Sequence, residues 1–455
     1  MKPPSKEGLA ELDPSSAKAN DRRVNDILRW IEQRQQHSGA HHTQAIDFAE
    51  LTQWHFSEKG GNLRHDSRRF FSIEGLHTEN TDAPSNAWEQ PIIHQPEVGI
   101  LGLISRVIGG TRQFLVQAKM EPGNINTFQI SPTVQATQSN FTRIHAGKPT
   151  AYLEYFTETN ATPLIDTLQS EHGARFYRKQ NRNMIVDVHD DIPVLDGFKW
   201  LTLADIHALM HRDNVINMDT RSVISCIDYT THEDYPLLRK ASLRTDGELI
   251  NWLTHIKKDT NISSTLMPLK AIAHWIKDER SIHHETRPLF SVMAVAVTAE
   301  SREVPQWTQP MLTDANPGLL GLIATTLHGV PHFLVQAKEE PGNSNGCELY
   351  PTVHCSHYLS RTSDPAAPAF LETVLGDHNH TVWFDALLSE EGGRFYRIQN
   401  RHRIIHIDHA ADMAIPANFQ WATYRQLQRL RRFNYLSIGL RTLLVCLPAT
   451  SEYTA

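Results

Sequence analysis

The run Gln117-Ala118-Lys119-Met120-Glu121-Pro122-Gly123-Asn124 ends in a sharp Pro-Gly turn, and its two charged side chains stand two residues apart. On a strand, alternate residues share a face, so Gln117 and Lys119 point the same way. A Lys and a Glu at a strand end could supply a cation for a developing oxyanion and a carboxylate for proton removal. The competing reading is a surface ion pair beside a turn, worth little energetically. A second candidate is the alternating segment 128–137. Period-two geometry puts Phe128, Ile130, Pro132, Val134 and Ala136 on one face, with Gln129, Ser131, Thr133, Gln135 and Thr137 on the other. That uncharged row of donors and acceptors suits an oxygen-rich neutral ligand such as a sugar. A solvated sheet face, which commonly carries Thr and Gln, is the plainer alternative. Arg175-Phe176-Tyr177-Arg178 with Asn181-Arg182 offers guanidinium groups for bidentate capture of a diphosphate. Trp54 and Trp88 could stack on a nucleobase, although a Trp in an apolar context more often belongs to the core.

The elements that hold these residues occur twice. Gly99–Asn124 and Gly318–Asn343 are related by an offset of 219 residues, and 16 of the 26 aligned positions are identical. The same offset links Pro132-Thr133-Val134 to Pro351-Thr352-Val353, and Arg175-Phe176-Tyr177-Arg178 to Arg394-Phe395-Tyr396-Arg397. The period is far too long for a solenoid. Duplication of one domain of about 220 residues accounts for it: a polar tail over 1–20, a first repeat over 21–230, a linker over 231–246 and a second repeat over 247–455. Each copy opens with an amphipathic helix, marked by Val24, Ile27, Leu28 and Ile31, and by Leu249, Trp252, Leu253 and Ile256. A second helix is expected around Phe48, Leu51 and Trp54, matching Leu269, Ile272 and Trp275. Residues 99–107 and 112–119 read as a hairpin about Gly109-Gly110. A helix is expected over 163–171, ending at Gly173, then a strand over 184–188 and a helix over 201–211. Mixed elements without regular βαβ alternation indicate an α+β fold.

Composition removes several classes of function. The chain has 455 residues with 44 basic and 51 acidic side chains, a formal net charge of -7. A phosphate-backbone binder would normally be basic, so nucleic acid is disfavoured as a partner. No apolar stretch is long enough to suggest a membrane span, and residues 1–23 lack the apolar core of a secretory signal. Cys226, Cys347, Cys355 and Cys446 form neither a disulfide framework nor a CxxC pair, and a cytoplasmic protein is expected. The 26 His match no HExxH or Cys/His zinc spacing, and neither GxxxxGK[ST], GxGxxG nor GxSxG occurs. The expectation is therefore no metal and no cofactor.

Taken together, the 117–124 run, Ser131–Thr137, Asn217-Met218-Asp219-Thr220-Arg221 and Ser389-Glu390-Glu391-Gly392-Gly393-Arg394-Phe395-Tyr396 resemble the NDP-hexose 2,3-dehydratases of deoxysugar biosynthesis. The resemblance runs from about Asp21 to Leu447. It implies a duplicated Nudix-like fold, a homodimer, a thymidine-diphosphate-linked 4-keto-6-deoxyhexose as substrate, and two nucleotide-sugar pockets per subunit of which one is catalytic. The chain lacks the Nudix Arg-Glu-x-x-Glu-Glu carboxylate cluster, so no Mg²⁺ site for pyrophosphate cleavage is evident. The dehydration itself calls for few parts. A base takes the C3 hydrogen, acidified by the C4 carbonyl; the enediolate is steadied by a cation or donors; the C2 hydroxyl leaves with a proton. In that scheme Glu121 is the base and Lys119 the stabilising cation, with Tyr177 or His145 delivering the proton. Gln117, Asn124, Gln129, Ser131, Thr133 and Gln135 orient the sugar, and Arg182 and Trp88 hold the nucleotide. Lys338, Glu340, Thr352, His354 and Arg401 make the second pocket, whose competence is doubtful because Glu348, Tyr350 and His354 replace Gln129, Ser131 and Gln135. A non-catalytic nucleotide-sugar binder and a Nudix-type hydrolase are the competing functions.

Overall fold

The structure, a computed structural model, describes residues 14–80, 87–137, 149–158, 161–228, 242, 244–286, 289–302, 304–356, 367–376, 380–408, 410 and 413–447. Each repeat opens with its expected helix, Pro14–His37 and Asp246–Lys258. Val24, Ile27 and Ile31 are buried, as are Leu249 and Leu253, so one apolar stripe of each helix faces the core. The second helix starts at a capping box in which the Thr245 hydroxyl accepts from Glu248 N.

Each repeat then builds a seven-stranded mixed sheet, so the fold is α+β. In the first repeat the path runs Thr162–Ser170, Gln180–Asp187, Gly99–Ile108, Thr111–Met120 and Phe198–Thr202. The pair 180–187 and 99–108 is parallel, with Asn181 opposite Gly99; the other pairs are antiparallel. The second repeat reproduces this with His380–Ser389, Gln399–Ile407, Gly318–Leu327, Val330–Glu339 and Phe419–Thr423. The hairpin about Gly109-Gly110 forms as expected, with both glycines at positive φ.

Three local expectations are corrected. Residues 163–171 are not helical: Thr162–Ser170 is an antiparallel strand at the sheet edge. Residues 48–54 give a single 3₁₀ turn, Phe48–Glu50, and then a strand, Trp54–Phe56; Leu269–Ala271 and Trp275–Lys277 repeat this. One apolar turn cannot sustain a helix when the next residues pair into a sheet. The run 128–137 is two strands. Phe128–Ser131 pairs with Thr111–Met120, and Val134–Ala136 crosses to Gly99–Ile108. Pro132 donates no N–H, and Thr133 bridges the gap: its hydroxyl donates to Leu115 O and accepts from Ile104 N at 3.0 Å.

The repeats are interwoven rather than side by side. His41–Ile46 of the first repeat adds to Ser291–Ala299 of the second, and Ile262–Met267 of the second adds to Ser72–Asn80 of the first. The Pro-Gly turns interlock in the same reciprocal way. Gly123 N donates to Gly392 O at 2.8 Å, and Gly342 N donates to Gly173 O at 2.7 Å. A β-carbon at Gly123 would lie 1.8 Å from Phe395 O, and one at Gly342 would lie 1.9 Å from Phe176 O. No other residue fits that approach. Between the repeats the short helices Met218–Ile224 and Ile438–Leu444 contribute two fully buried guanidinium groups. Arg221 reaches His402 Nε2 at 3.0 Å and Ser389 O; Arg441 reaches Ser222 Oγ at 2.9 Å and Ser170 O at 2.8 Å. Buried charges persist only with such partners.

Candidate active site

The seam holds a cavity of about 250 Å³. One wall is aromatic: Trp54, His65, Phe70 and Phe71, with Trp54 and Phe71 ring centroids 4.9 Å apart. The polar floor comes from the first repeat: Lys119, Gln135, Glu171, Lys179, Asn181 and Asp219. The opposite wall comes from the second: Arg302, Trp307, Gln309, Glu391 and Arg394. Side-chain hydrogen bonds tie this wall together. Trp307 Nε1 donates to Gln309 Oε1 at 2.8 Å, and Gln309 Nε2 donates to Gly393 O at 2.8 Å. The Arg394 guanidinium lies 4.2 Å from the centroid of the Phe71 ring, a cation against an aromatic face. A second cavity of about 210 Å³ shares Lys119, Gln135, Thr150 and Arg302 with the first and adds Gln117 and Thr133.

The strand ends place the floor. Lys119 Nζ donates to Gln135 Oε1 at 2.9 Å, Gln135 Nε2 donates to Glu121 Oε1 at 2.8 Å, and Lys119 Nζ lies 3.5 Å from that same oxygen. Glu121 Oε2 is buried without a hydrogen-bond partner among the described residues. Lys119, Glu121 and Gln135 therefore form one connected triangle. Asp219 comes from the first turn of the helix 218–224, which Asn217 caps: its side chain accepts from Thr220 N at 2.8 Å and donates to Ser131 Oγ at 3.0 Å.

Burial governs the charges here. It pushes the Asp219 carboxyl well above its ordinary range, helped by Glu391, Glu121 and Glu171. It raises Glu391 to about 7, with Glu121 and Glu171 adding to the effect, and raises Glu171 as well. Lys179, whose ammonium donates to Glu97 O, is pushed down to about 8 by burial. The cavity thus gathers carboxyl groups whose hold on a proton is strengthened by burial, alongside Lys119, Lys179, Arg302 and Arg394. Among the described residues no three His, Cys, Asp or Glu side chains are grouped to hold a metal ion.

The pseudo-equivalent residues on the other side make a closed set. Lys338 Nζ lies 3.2 Å from Glu340 Oε1 and 3.4 Å from His354 Nδ1, and the Tyr350 ring stacks on His354 at 5.3 Å. Burial would raise Glu340, yet it is held at about 2. His354 is itself pushed down to about 3 by burial and Lys338, so at neutral pH the Lys338 charge carries that effect. Gly439 stands where Asp219 does, and His172 where Glu391 does. His172 is paired with Glu390 at 2.6 Å.

Several residues singled out from the sequence do other work. Arg182 holds Asp166 through two hydrogen bonds on the sheet surface, and Arg401 holds Asp385 in the same way; neither lines the cavity. Trp88 is absent from the cavity wall, where its repeat mate Trp307 stands instead. Tyr177 does not line it either, its hydroxyl donating to Ser264 O at 3.5 Å. Gln129 and Ser131 are fully buried: Gln129 Nε2 donates to Ser389 Oγ at 2.6 Å, and Ser131 meets the Asn217 cap. Thr133 and Thr352 brace the split strands, and Asn124 donates to Thr127 O within its turn. His145 lies outside the described residues. Sequence reasoning did not assign roles to Glu171, Lys179, Asp219, Arg302, Trp307, Gln309, Glu391 or Arg394. The offset alone could not show that the second copy's 389–396 segment crosses to the first copy's pocket.

The NDP-hexose 2,3-dehydratase family model matches residues 24–227 and again residues 246–447. A dTDP-4-dehydro-6-deoxy-α-D-glucopyranose 2,3-dehydratase of Amycolatopsis orientalis is 41% identical over 438 residues, covering 94% of this chain and 91% of that protein. Proteins of the same name from Saccharopolyspora spinosa and Streptomyces violaceoruber are 41% and 38% identical. They cover 89% and 94% of this chain, and 87% and 97% of their own lengths. Two family matches in one chain coincide with the two interwoven repeats, and the chain belongs to the NDP-hexose 2,3-dehydratase family.

Proposed function

We propose that the seam cavity binds a thymidine-diphosphate-linked 4-keto-6-deoxyhexose and removes its C2 hydroxyl, giving a 3,4-diketo-2,6-dideoxy sugar. The observation that supports this most is the Lys119–Gln135–Glu121 triangle: Lys119 and Gln135 line the cavity, and Glu121, buried and outside the lining, is joined to both. Glu121 Oε2 has an unused lone-pair site for the C3 proton. Lys119 Nζ donates to the developing C4 oxyanion, where a buried cation is worth more than in water. Gln135 holds both in register. The thymidine ring lies along the Trp54–Phe71 wall, and Arg394, Arg302 and Lys179 receive the diphosphate. The same reading takes each repeat as Nudix-like, with the repeats dividing within 231–246, and the enzyme as a cytoplasmic homodimer. Incubation of the protein with thymidine-diphosphate 4-keto-6-deoxyglucose, followed by mass spectrometry, tests the reaction. Loss of one water is expected; a released sugar phosphate indicates hydrolysis, and an unchanged compound indicates a binding protein.

A further inference from the structure

We infer that Asp219, with Glu391 from the other repeat beside it, is the acid that protonates the departing C2 hydroxyl. This rests on the dehydratase reading above and adds a residue and a role to it. Asp219 is 2% exposed, lines the cavity, and has no hydrogen-bond partner among the described residues for its carboxyl group. Glu391 enters the same cavity from the turn 391–394 of the second repeat. Burial without a hydrogen-bonding partner disfavours the carboxylate there and favours the neutral acid, a form that can donate. The charged groups facing Asp219 are Glu391, Glu121, Glu171 and Lys119; those facing Glu391 are Arg394, Glu121, Glu171 and Lys179. Both carboxyls thus face Glu121 and Glu171, and the Glu391 charge strengthens the hold of Asp219 on its proton.

The elimination then balances. Glu121 takes the C3 proton, and the C3–H electrons form the C3=C4 bond of the enediolate. As the C4 carbonyl re-forms, the C2–O bond breaks, and the oxygen leaves as water with the Asp219 proton. The C3=C4 electrons become the C2=C3 bond of an enol, and Asp219 is left as a carboxylate. On tautomerisation Glu121 returns its proton to C2 while the C3 enol hydroxyl gives its proton to Asp219, which restores both groups. The pseudo-equivalent positions, Gly439 and His172, cannot do this: one has no side chain, and the other is paired to Glu390. Both acid-bearing positions thus differ on the side where Tyr350 stacks on His354.

The test separates the two proton transfers. In D₂O the C3 hydrogen of thymidine-diphosphate 4-keto-6-deoxyglucose exchanges whenever the base works, whether or not water is lost. For Asp219→Asn we expect elimination to fall by about 10²- to 10⁴-fold while C3 exchange stays within tenfold of wild-type turnover. Binding of thymidine diphosphate and the thermal midpoint should be retained. Glu391→Gln supplies an independent readout: without its neighbour's charge Asp219 loses its proton sooner, so the alkaline limb of kcat moves about one unit acidward. The inference is overturned if Asp219→Asn eliminates at more than a third of the wild-type rate, or loses exchange and elimination together. An alkaline limb unmoved in Glu391→Gln overturns it as well. A wild-type protein that neither exchanges nor eliminates overturns the dehydratase reading itself.

Discussion

At the scale of single residues, the pairs that look alike in the two repeats differ in protonation. Gln129 donates to Ser389, whereas its mate Glu348 accepts from Ser170 Oγ at 2.8 Å with its other oxygen unpartnered. Burial raises Glu348 to about 7. A carboxyl whose folded-state value is raised contributes stability fully present below its unfolded value and lost as pH climbs to the folded one. Glu348→Gln, which copies the first repeat, should therefore gain on wild type between about pH 4.5 and pH 7, by on the order of 2–3 kcal/mol, and keep that margin above. Urea denaturation at pH 4.5, 6 and 8 checks this; a margin independent of pH would contradict it. Arg182→Met makes the opposite kind of case. Its ion pair with Asp166 is on the surface, so turnover should stay within twofold and stability within about 1 kcal/mol, read by kcat and thermal midpoint. At this scale the sequence pointed to Lys119 and Glu121 as a pair beside a turn and to Gln135 as one of a polar row; that Gln135 bridges the other two comes from the structure alone. The sequence could not tell Gln129 and Ser131 from Gln135, since which members of a polar row are used for capping and seam contacts depends on the partner elements.

At the scale of elements, the split strand and the interlocked turns set the site. The hairpin strands pair only over Ile104–Ile108 and Thr111–Leu115; beyond that they splay, and 128–136 fills the gap. The hairpin and both opening helices were legible from periodicity. The edge strand 162–170 was not, because Leu164, Leu168 and the following Gly173 imitate a short helix with a cap. Its repeat mate, with Thr381-Val382-Trp383-Phe384, carries the clearer β pattern, and reading the two copies together corrects the error. The Pro-Gly turns carry a sharper expectation. Gly123→Ala must push the seam apart and should lower stability by about 1–3 kcal/mol or abolish folding, as should Gly342→Ala. Circular dichroism melts measure it, and a variant as stable as wild type would refute the close approach.

At the scale of the whole molecule, the duplication has become a single unit. Each repeat lends a strand to the other's smaller sheet, each turn docks on the loop that follows the other's edge strand, and Arg221 and Arg441 clamp across the seam. The repeat was visible in sequence; the exchange was not, since an offset records equivalence and says nothing of which copy a strand joins. Residues 21–230 expressed alone should consequently remain unfolded or aggregated, and should be recovered by co-expression with 247–455. Proton–nitrogen correlation spectra of the two preparations distinguish the outcomes, and a dispersed spectrum for the isolated half would contradict the interweaving.

The proposed reaction places its chemistry on the first-repeat side of this seam. The matched substitutions Lys119→Met and Lys338→Met test it most directly, because they remove the same atom from pseudo-equivalent positions. With thymidine-diphosphate 4-keto-6-deoxyglucose as substrate, Lys119→Met should lose at least about 10²- to 10³-fold in kcat, while Lys338→Met should stay within a few-fold of wild type. Equal losses in both variants, or a larger loss in Lys338→Met, would contradict the claim.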